Sequence, residues 1–554
     1  MSADNTRKLC FDGQELMQTL IKHFDYDHAT VSTTWRVLDV KIASWLLDAD
    51  NPALTFTEVI GHYPELTKQR QECSAGTDTT CGDLKLLGPI TTKLYQQLQN
   101  AALWELFEKI EMPLCPLLAV MELRGIRIDT SEMIKSGLVL KKKLVELEKE
   151  IHRSAGHPFV ITSHSQLRQV LFEELKLDQR LPPNKHVIRT LVRQQKSTSE
   201  AVLTILQDIH RLPALVLQYR QVQKLKSTYV DSLLGFVKDT QLYTHWDHTA
   251  AATGRLTSTD PNIQAIPKVP LQVAPVKETG GDITGAVSDG QAALISVYAR
   301  APFISQQGYS LLSADFRQIE LRLLAHLSGD PGLLAIFNNP YSDDIFRELT
   351  SQWLGKRIED VSEREREQTK RVVYSVMYGA GKERLSEYLK ISPDEAKCIM
   401  NSFLVMFPGV NRFTRKCIEE ARVKGYQETI FRRRRQLPHI HHWKAPLRAQ
   451  CERQAVNFCV QGSAADLCKA AMLQVEEALV SRPHCRLLVQ IHDELLLEVA
   501  DTEVDAVAGV VRDIMQSASG LCHNFTQLSV PLKVSIHVGK SWAHMNTWAS
   551  PGHT

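Results

Sequence analysis

SEREREQTKRVVYSVMYGAGKERL, residues 362–385, decides how this chain is read. Ser362 and Glu365 form a capping box, which predicts a helix start. Gly379 and Gly381 supply its stop. A helix turns about 100° per residue, so each four-residue step drifts only about 40°. Arg366, Lys370, Tyr374 and Tyr378 therefore form one slanted stripe, two cations followed by two aromatics. The cations lie toward the helix end whose partial positive charge favours anions. Such a face holds a polyphosphate at one end and stacks a flat ring at the other, as a nucleoside triphosphate requires. With Glu363, Glu365 and Glu367 nearby, the same residues would also make an ordinary salt-bridged face over core tyrosines. Other parts of the chain must separate these readings.

A length of 554 residues implies about three to four domains. The composition, 43% hydrophobic and 23% charged, is that of a soluble protein able to bury real cores. The net charge of +2 is unevenly spread: Asn411–Arg453 holds 12 Lys/Arg against 4 Glu, including the run Arg432–Arg435. A local basic stretch is the footprint of a phosphate-backbone binder, or else a solvated face. The 11 cysteines show no C-x-x-C pair, which points to free thiols in a reducing compartment. His439, His441 and His442 follow Pro438 and read as polar loop, not as a metal site. There is no signal peptide or bilayer-length apolar run, so no membrane partner is expected. Met1–Lys8 is polar and carries no targeting pattern.

Residues 1–110 read as a small α/β region, with a strand and helix in WRVLDVKIASWLLDAD and a loop over Gln69–Gly82. Leu103–Tyr229 reads as helical, and KKKLVELEKEIHR as a projecting helical arm. Val269–Gln291 is rich in Pro, Gly and Thr and reads as a mobile insertion. Tyr309–Asp315 predicts a buried strand, Arg317–Ser328 a helix, 331–430 mostly helix, and Cys485–Val499 a hairpin. VPLKVSIHVGKSW predicts one more strand.

Asp315 ends the apolar strand YSLLSA, and Asp493 with Glu494 follows LLVQIH. Carboxylates at buried strand ends are expensive unless paired or bound to cations. Two Asp on adjacent strands suit two Mg²⁺ ions about 3.5–4 Å apart. One ion would activate a 3′-hydroxyl and the other would neutralise pyrophosphate; the plain alternative is a pair of turn residues. Arg255 lies in the polar loop TGRLTSTDPNIQAIP. Arg453, Asn457 and Gln461 form a second helical stripe. Its donors suit the acceptors shared by all base pairs in the minor groove.

With these residues assembled, the chain resembles family A DNA polymerases. The resemblance rests on DFRQIELR (Asp315–Arg322), R-x3-K-x3-Y-x3-YG (Arg366–Gly379), TGRLTSTDPNIQ, QGSAAD (Gln461–Asp466) and HDE (His492–Glu494), in the family's order and spacing. STSEAVL and YRQVQKLKSTY resemble the family's thumb. The resemblance implies an α/β (α+β) right-hand fold: an antiparallel palm sheet, helical fingers and thumb, and an exonuclease-like α/β N-terminal region. The implied division is 1–110 exonuclease-like remnant, 111–240 thumb, 241–330 first part of the palm, 331–440 fingers and 441–554 second part of the palm.

The implied roles follow residue by residue. Asp315 and Asp493 hold two Mg²⁺ ions, with Glu494 beside them. Arg366 and Lys370 bind the triphosphate, and Lys370 protonates the leaving pyrophosphate. Tyr374 stacks on the incoming base and sugar. Tyr378 packs under the templating position and bonds Glu320, which blocks a ribose 2′-hydroxyl. Arg255, Asn457, Gln461 and His492 contact the primer-template, with Arg453 supporting. The implied partners are primer-template DNA and dNTP, bound by a nuclear, monomeric repair or translesion enzyme.

Departures from the family carry expectations of their own. Phe316 and Arg317 stand where Tyr and Ser are usual. Phe346 replaces a frequent phosphate-binding His, and Arg432 a common Gly. Arg371 follows the catalytic Lys where a small residue is usual. It lies three residues before Tyr374 and seven before Tyr378, so it shares the base-pair face and is expected to lower fidelity. In the N-terminal region, Asp39 alone matches an exonuclease carboxylate. The Asp-x-Glu strand has no room before residue 1, and no Tyr-x3-Asp occurs between Leu86 and Trp104. One carboxylate cannot hold two metals, so no proofreading is expected. A metal-dependent nuclease would also need paired carboxylates but not the Arg-Lys-Tyr-Tyr stripe. A silent DNA-binding scaffold would need neither the two Asp nor Lys370.

Overall fold

The computed structural model describes all residues except 1–6, 25, 27, 29–30, 32–34, 75–78, 183–186, 188–194, 274–294, 342–343, 518–526 and 550–554. Its centre is a five-stranded antiparallel sheet. The strand Tyr309–Phe316 lies in the middle, between Glu494–Ala500 and Val534–Ser541, with Cys485–Ile491 and His544–Thr547 at the edges. The sequence YSLLSADF is apolar on consecutive residues because both faces of this strand are covered. The helix Val504–Gln516 and the helix Ala445–Leu479 pack against the sheet. The register sets Asp315 opposite Glu494, and Phe316 N–H donates to Asp493 O at 3.1 Å. Both acidic strand ends thus meet at one edge of the sheet.

The helical layers follow the expected pattern. Glu363–Met377 starts at the Ser362–Glu365 capping box and packs on Ile345–Leu354 through a buried Thr350–Thr369 hydroxyl bond of 2.8 Å. Thr130–Ala155 forms the expected arm, packed along Arg211–Lys226. The N-terminal part pairs Lys8–Cys10 in parallel with Val37–Asp39, and Val40–Leu47 follows as a helix. The expected disposition of the thumb-like STSEAVL shifts slightly, since the helix runs Glu200–Leu206.

Several expectations need correction. The loop over Gln69–Gly82 is largely helical: Pro64–Ser74 is one helix and Thr79–Asn100 another. Gln, Arg and Glu are good helix formers, and their propensity outweighs the polar, small-residue appearance. The helix after Asp315 begins at Ile319, because Gln318 takes a left-handed φ of 51°. Of the insertion at 269–291, Leu271–Val273 is a strand paired with Ile295–Val297, and the remainder from residue 274 lies outside the described residues.

The run Arg432–Arg435 is not a free basic patch. Arg433 is fully buried, bonded to Glu111 and to Asp466 at 2.8 Å. Lys469 reaches the same Glu111 at 2.8 Å, and both cations lie 5.5 Å from the Trp45 ring. Burial pushes Lys469 down to about 8. Burial also works against the Glu111 charge, but Lys469 and Arg433 outweigh it and hold that carboxyl well below its usual range. Arg434 pairs with Glu428 and Arg435 with Asp50. Only Arg432 is exposed, at φ 65°, a left-handed conformation that suits glycine. The buried cluster joins the N-terminal region, the hairpin carrying Arg433 and the long helix.

Candidate active site

The hairpin between Cys485–Ile491 and Glu494–Ala500 turns in two residues, His492 and Asp493. His492 has φ 52°, the left-handed geometry of tight hairpins, and its carbonyl accepts a bond from Gln490 Nε2. This turn carries Asp493 against the end of the central strand. No described residue hydrogen-bonds or ion-pairs the Asp493 carboxylate. Burial first, then the charges of Glu320 and Asp315, push its pKa up to about 7 against the pull of Arg255. Asp315 is pushed up to about 6 by burial and by Glu494, with Lys268, Arg300 and Arg317 opposing.

The neighbouring carboxylates are neutralised. Glu494 accepts from Ser313 Oγ at 2.5 Å and Trp542 Nε1 at 3.2 Å, and lies 3.5 Å from Arg300. Glu320 is buried between the Tyr378 hydroxyl, which donates to it, and Arg255 at 2.6 Å. Two acids held by arginines thus flank Asp493, which has no such partner, and Asp315, whose cation Lys268 lies 3.8 Å away. The Asp315–Asp493 pair fits a divalent cation, since hard cations take carboxylate oxygens and lower carboxyl pKa values. Among the described residues, no group of three or more His, Cys, Asp or Glu has a metal-cage arrangement.

The predicted stripe lines a cleft of about 1070 Å³ through Lys370, Tyr374 and Tyr378. Arg453, Asn457 and Gln461 line it from the long helix, and Arg371 lies on the same wall. Tyr374 and Tyr378 stack at 6.0 Å and 18°. Burial raises Tyr374 to about 12, helped by the charges of Glu320 and Asp493, so the stripe and the acidic strand ends are electrostatic neighbours. Gly379 needs its φ of 62°, and a Cβ there would meet Arg453 Cγ at 2.9 Å. Asn457 donates to Gln461 at 3.1 Å, while its own Oδ1 is buried without a partner.

Arg366 is the exception to the stripe. Its guanidinium bonds Asp344 at 2.6 Å, Glu363 at 2.9 Å and Glu367 at 2.7 Å, and it does not line the cleft. Lys370 has no ion pair among the described residues; its Nζ lies 5.8 Å from the Phe346 ring. Phe346 is buried and also touches the Tyr374 ring at 6.1 Å. Arg371 Nη1 donates to Tyr388 O at 2.9 Å, near the end of the helix Lys382–Leu389.

Sequence reasoning missed three contributors. Arg300 bridges Glu494 and the Ile266 carbonyl at 3.2 Å, over the Trp542 ring at 4.0 Å. Lys268 stands 3.8 Å from Asp315. Gly254, at φ 79°, lets Arg433 approach: a Cβ there would meet Arg433 Cζ at 2.7 Å. No local pattern marks such residues, because their partners lie far away in the chain.

The raised acids predict a pH dependence. A carboxyl whose folded pKa is raised binds protons that the unfolded chain has already lost, so stability falls as pH rises from about 4 to about 7. Asp493→Asn removes this liability. In metal-free buffer its melting temperature should exceed that of the natural chain more at pH 8 than at pH 5. A difference independent of pH would contradict the assignment.

Residues 130–544 match the family described as DNA polymerase family A. DNA polymerase I of Thermus filiformis is 38% identical over 453 residues, which cover 81% of this chain and 49% of that protein. DNA polymerase I of Bacillus subtilis is 35% identical, over 81% of this chain and 47% of its own length. The chain therefore spans about half the length of the curated relatives it matches. In structure it is similar to the POL domain of Pol1 from M. smegmatis, solved in complex with DNA primer-template and dNTP. The TM-score is 0.77 at 30% identity, over 92% of this chain and 83% of that one. The mixed helix-and-sheet arrangement accords with the expected right-hand architecture, and the chain belongs to DNA polymerase family A.

Proposed function

We propose that the protein is a template-directed DNA polymerase that adds deoxynucleotides to a primer 3′-hydroxyl, without proofreading. The carrying observation is the meeting of two half-buried carboxylates with a cleft lined by Lys370, Tyr374 and Tyr378; Asp493 has no partner among the described residues and Asp315 only Lys268 at 3.8 Å. Asp315 and Asp493 would hold Mg²⁺ ions, two by the chemistry of the reaction. Bound there, the ions supply charge neutralisation at the attacking and leaving oxygens. Lys370 would bind the triphosphate and donate a proton to the leaving pyrophosphate. Arg366 would join it by exchanging its carboxylates for phosphate. Tyr374 would stack on the incoming base, and Glu320, fixed by Tyr378 and Arg255, would exclude a 2′-hydroxyl. Arg255, Asn457, Gln461 and His492 would contact the primer-template, with Arg453 supporting. Arg255 would also hold Glu320, and Glu494 would act by fixing Arg300 beside the acids. Catalysis would be mostly positioning and charge stabilisation.

The thumb, palm and fingers divisions at 111–240, 241–330 with 441–554, and 331–440 belong to this reading, with 1–110 as an exonuclease remnant. Asp39 supports the loss of proofreading: its oxygens accept from Asp12 N, Gly13 N and Lys41 N, which is the work of a structural cap. MYGAGKERL, CERQAVN, VQGSAADLCK and VPLKVS resemble the vertebrate polymerase nu branch most closely, with polymerase theta next. That resemblance supports a nuclear, monomeric, error-prone enzyme of DNA repair or translesion synthesis.

Primer extension with a single dNTP and Mg²⁺ tests the activity. Extension by the natural chain and its loss in Asp493→Ala are expected; no extension by the natural chain refutes the reading. A 3′-labelled primer without dNTP should stay intact, and degradation that survives Asp315→Asn would refute the lack of proofreading.

Arg371 would lower fidelity by offering a cation and donors to a mispair across the cleft. Arg371→Ala should misincorporate several-fold less, on the scale of one lost charged hydrogen bond. An unchanged error spectrum on a gapped template would sink that role.

A further inference from the structure

The loop before the long helix Ala445–Leu479 carries an indole that the fold does not use. Trp443 is 79% exposed, although it is among the largest side chains in the protein. It is nevertheless well placed. Its ring stacks on His442 at 5.8 Å and 22°, and His439 meets His442 edge-on at 5.5 Å. His442 is pinned in turn: its Nδ1 accepts from Lys444 N at 3.0 Å, and its carbonyl accepts from Arg448 at 3.3 Å. The base of the loop is anchored by buried Leu437 and Ile440 against Ala421, Cys451 and Ala455. An exposed aromatic on a rigid footing has lost its conformational freedom before any partner arrives.

The charge around it is positive. Lys444 has no ion pair among the described residues, and its Nζ hovers 5.1 Å from the Trp443 ring. Glu452, on the first turns of the long helix, is shared by Arg422 at 2.6 Å and Arg448 at 4.0 Å. A flat π-face beside a mobile ammonium is the pairing that holds an unpaired nucleotide, base on ring and phosphate on cation.

Position decides which nucleotide. Gln461, Asn457 and Arg453 climb the long helix from the cleft toward the end where Trp443 stands. From Arg453 to Ala445 is about 12 Å along the axis at 1.5 Å per residue, and Trp443 precedes Ala445. That is a span of a few unpaired nucleotides.

We propose that Trp443, backed by His442 and flanked by Lys444, is a stacking station for the single-stranded template ahead of the copied base. This rests on the polymerase reading. An incoming template base lies on the indole, and Lys444 leaves the ring for the adjoining phosphate. The station grips every sequence alike, since each base offers a π-face.

The experiment measures the affinity of the whole chain for two primer-templates by fluorescence anisotropy. One has a single-nucleotide 5′ template overhang and the other an overhang of about eight nucleotides. Trp443→Ala should weaken binding of the long overhang about tenfold and leave the short one unchanged. Trp443→Phe should recover most of the loss. Equal affinities of Trp443→Ala and the natural chain for the long overhang overturn the proposal. So does an equal loss on both substrates, which would assign Trp443 to the duplex. Extension of the short-overhang substrate by the natural chain is scored in parallel. If that extension fails, the polymerase reading itself has failed; if it succeeds, a negative affinity result counts against the station alone.

Discussion

Four carboxylates converge at the end of the central sheet, and only two of them are held by an arginine. Glu494 has Arg300 and Glu320 has Arg255, at 3.5 and 2.6 Å. Asp493 has no ion pair among the described residues and Asp315 has only Lys268 at 3.8 Å, and burial pushes both pKa values upward. Removing an ionised group from water costs several kcal/mol unless a counter-charge is close. The register of the sheet, the left-handed His492 and the Arg300 bridge all hold the two acids in that costly arrangement. Such a pair of carboxylates is chemically suited to divalent cations. Lys268, 3.8 Å from Asp315, supplies the nearest mobile positive charge.

The helix facing this site is organised by a second balance. Lys370 stays without an ion pair among the described residues, while Arg366 is held by Asp344, Glu363 and Glu367. The two cations of one stripe therefore stand in different states. Lys370 is available as it lies, and Arg366 would have to exchange its carboxylates to take up an anion. Asp344 caps the helix Ile345–Leu354, so that exchange is coupled to the neighbouring helix. Phe346, on the first turn of that helix, packs against Tyr374 and ties the two helices together.

Local periodicity made much of this legible. The capping box, the stripe, the apolar central strand and the acidic hairpin turn are short-range patterns, and each stands where the sequence puts it. The Tyr378–Glu320 bond was likewise expected from the family resemblance. What stayed hidden depends on partners distant in sequence. The four arginines 432–435 look like one basic patch, yet Arg433 is buried on Glu111 and Asp466, and Arg435 reaches Asp50. Charge alone cannot say which cation meets solvent. Arg366 had the same weakness, because Asp344 lies on another helix. The helix over 64–74 was obscured by polar composition, which loops and solvated helices share.

The central proposal is that Asp315 and Asp493 together hold divalent cations. Electron paramagnetic resonance with Mn²⁺ reads this directly, using a chain-terminated primer-template and the next dNTP. The natural chain should take up about two tightly bound Mn²⁺ ions per complex. Asp315→Asn and Asp493→Asn should each lose at least one, whereas Glu494→Gln should lose less, since that carboxylate is engaged by Arg300, Ser313 and Trp542. Unchanged Mn²⁺ uptake in both Asp variants would contradict the account.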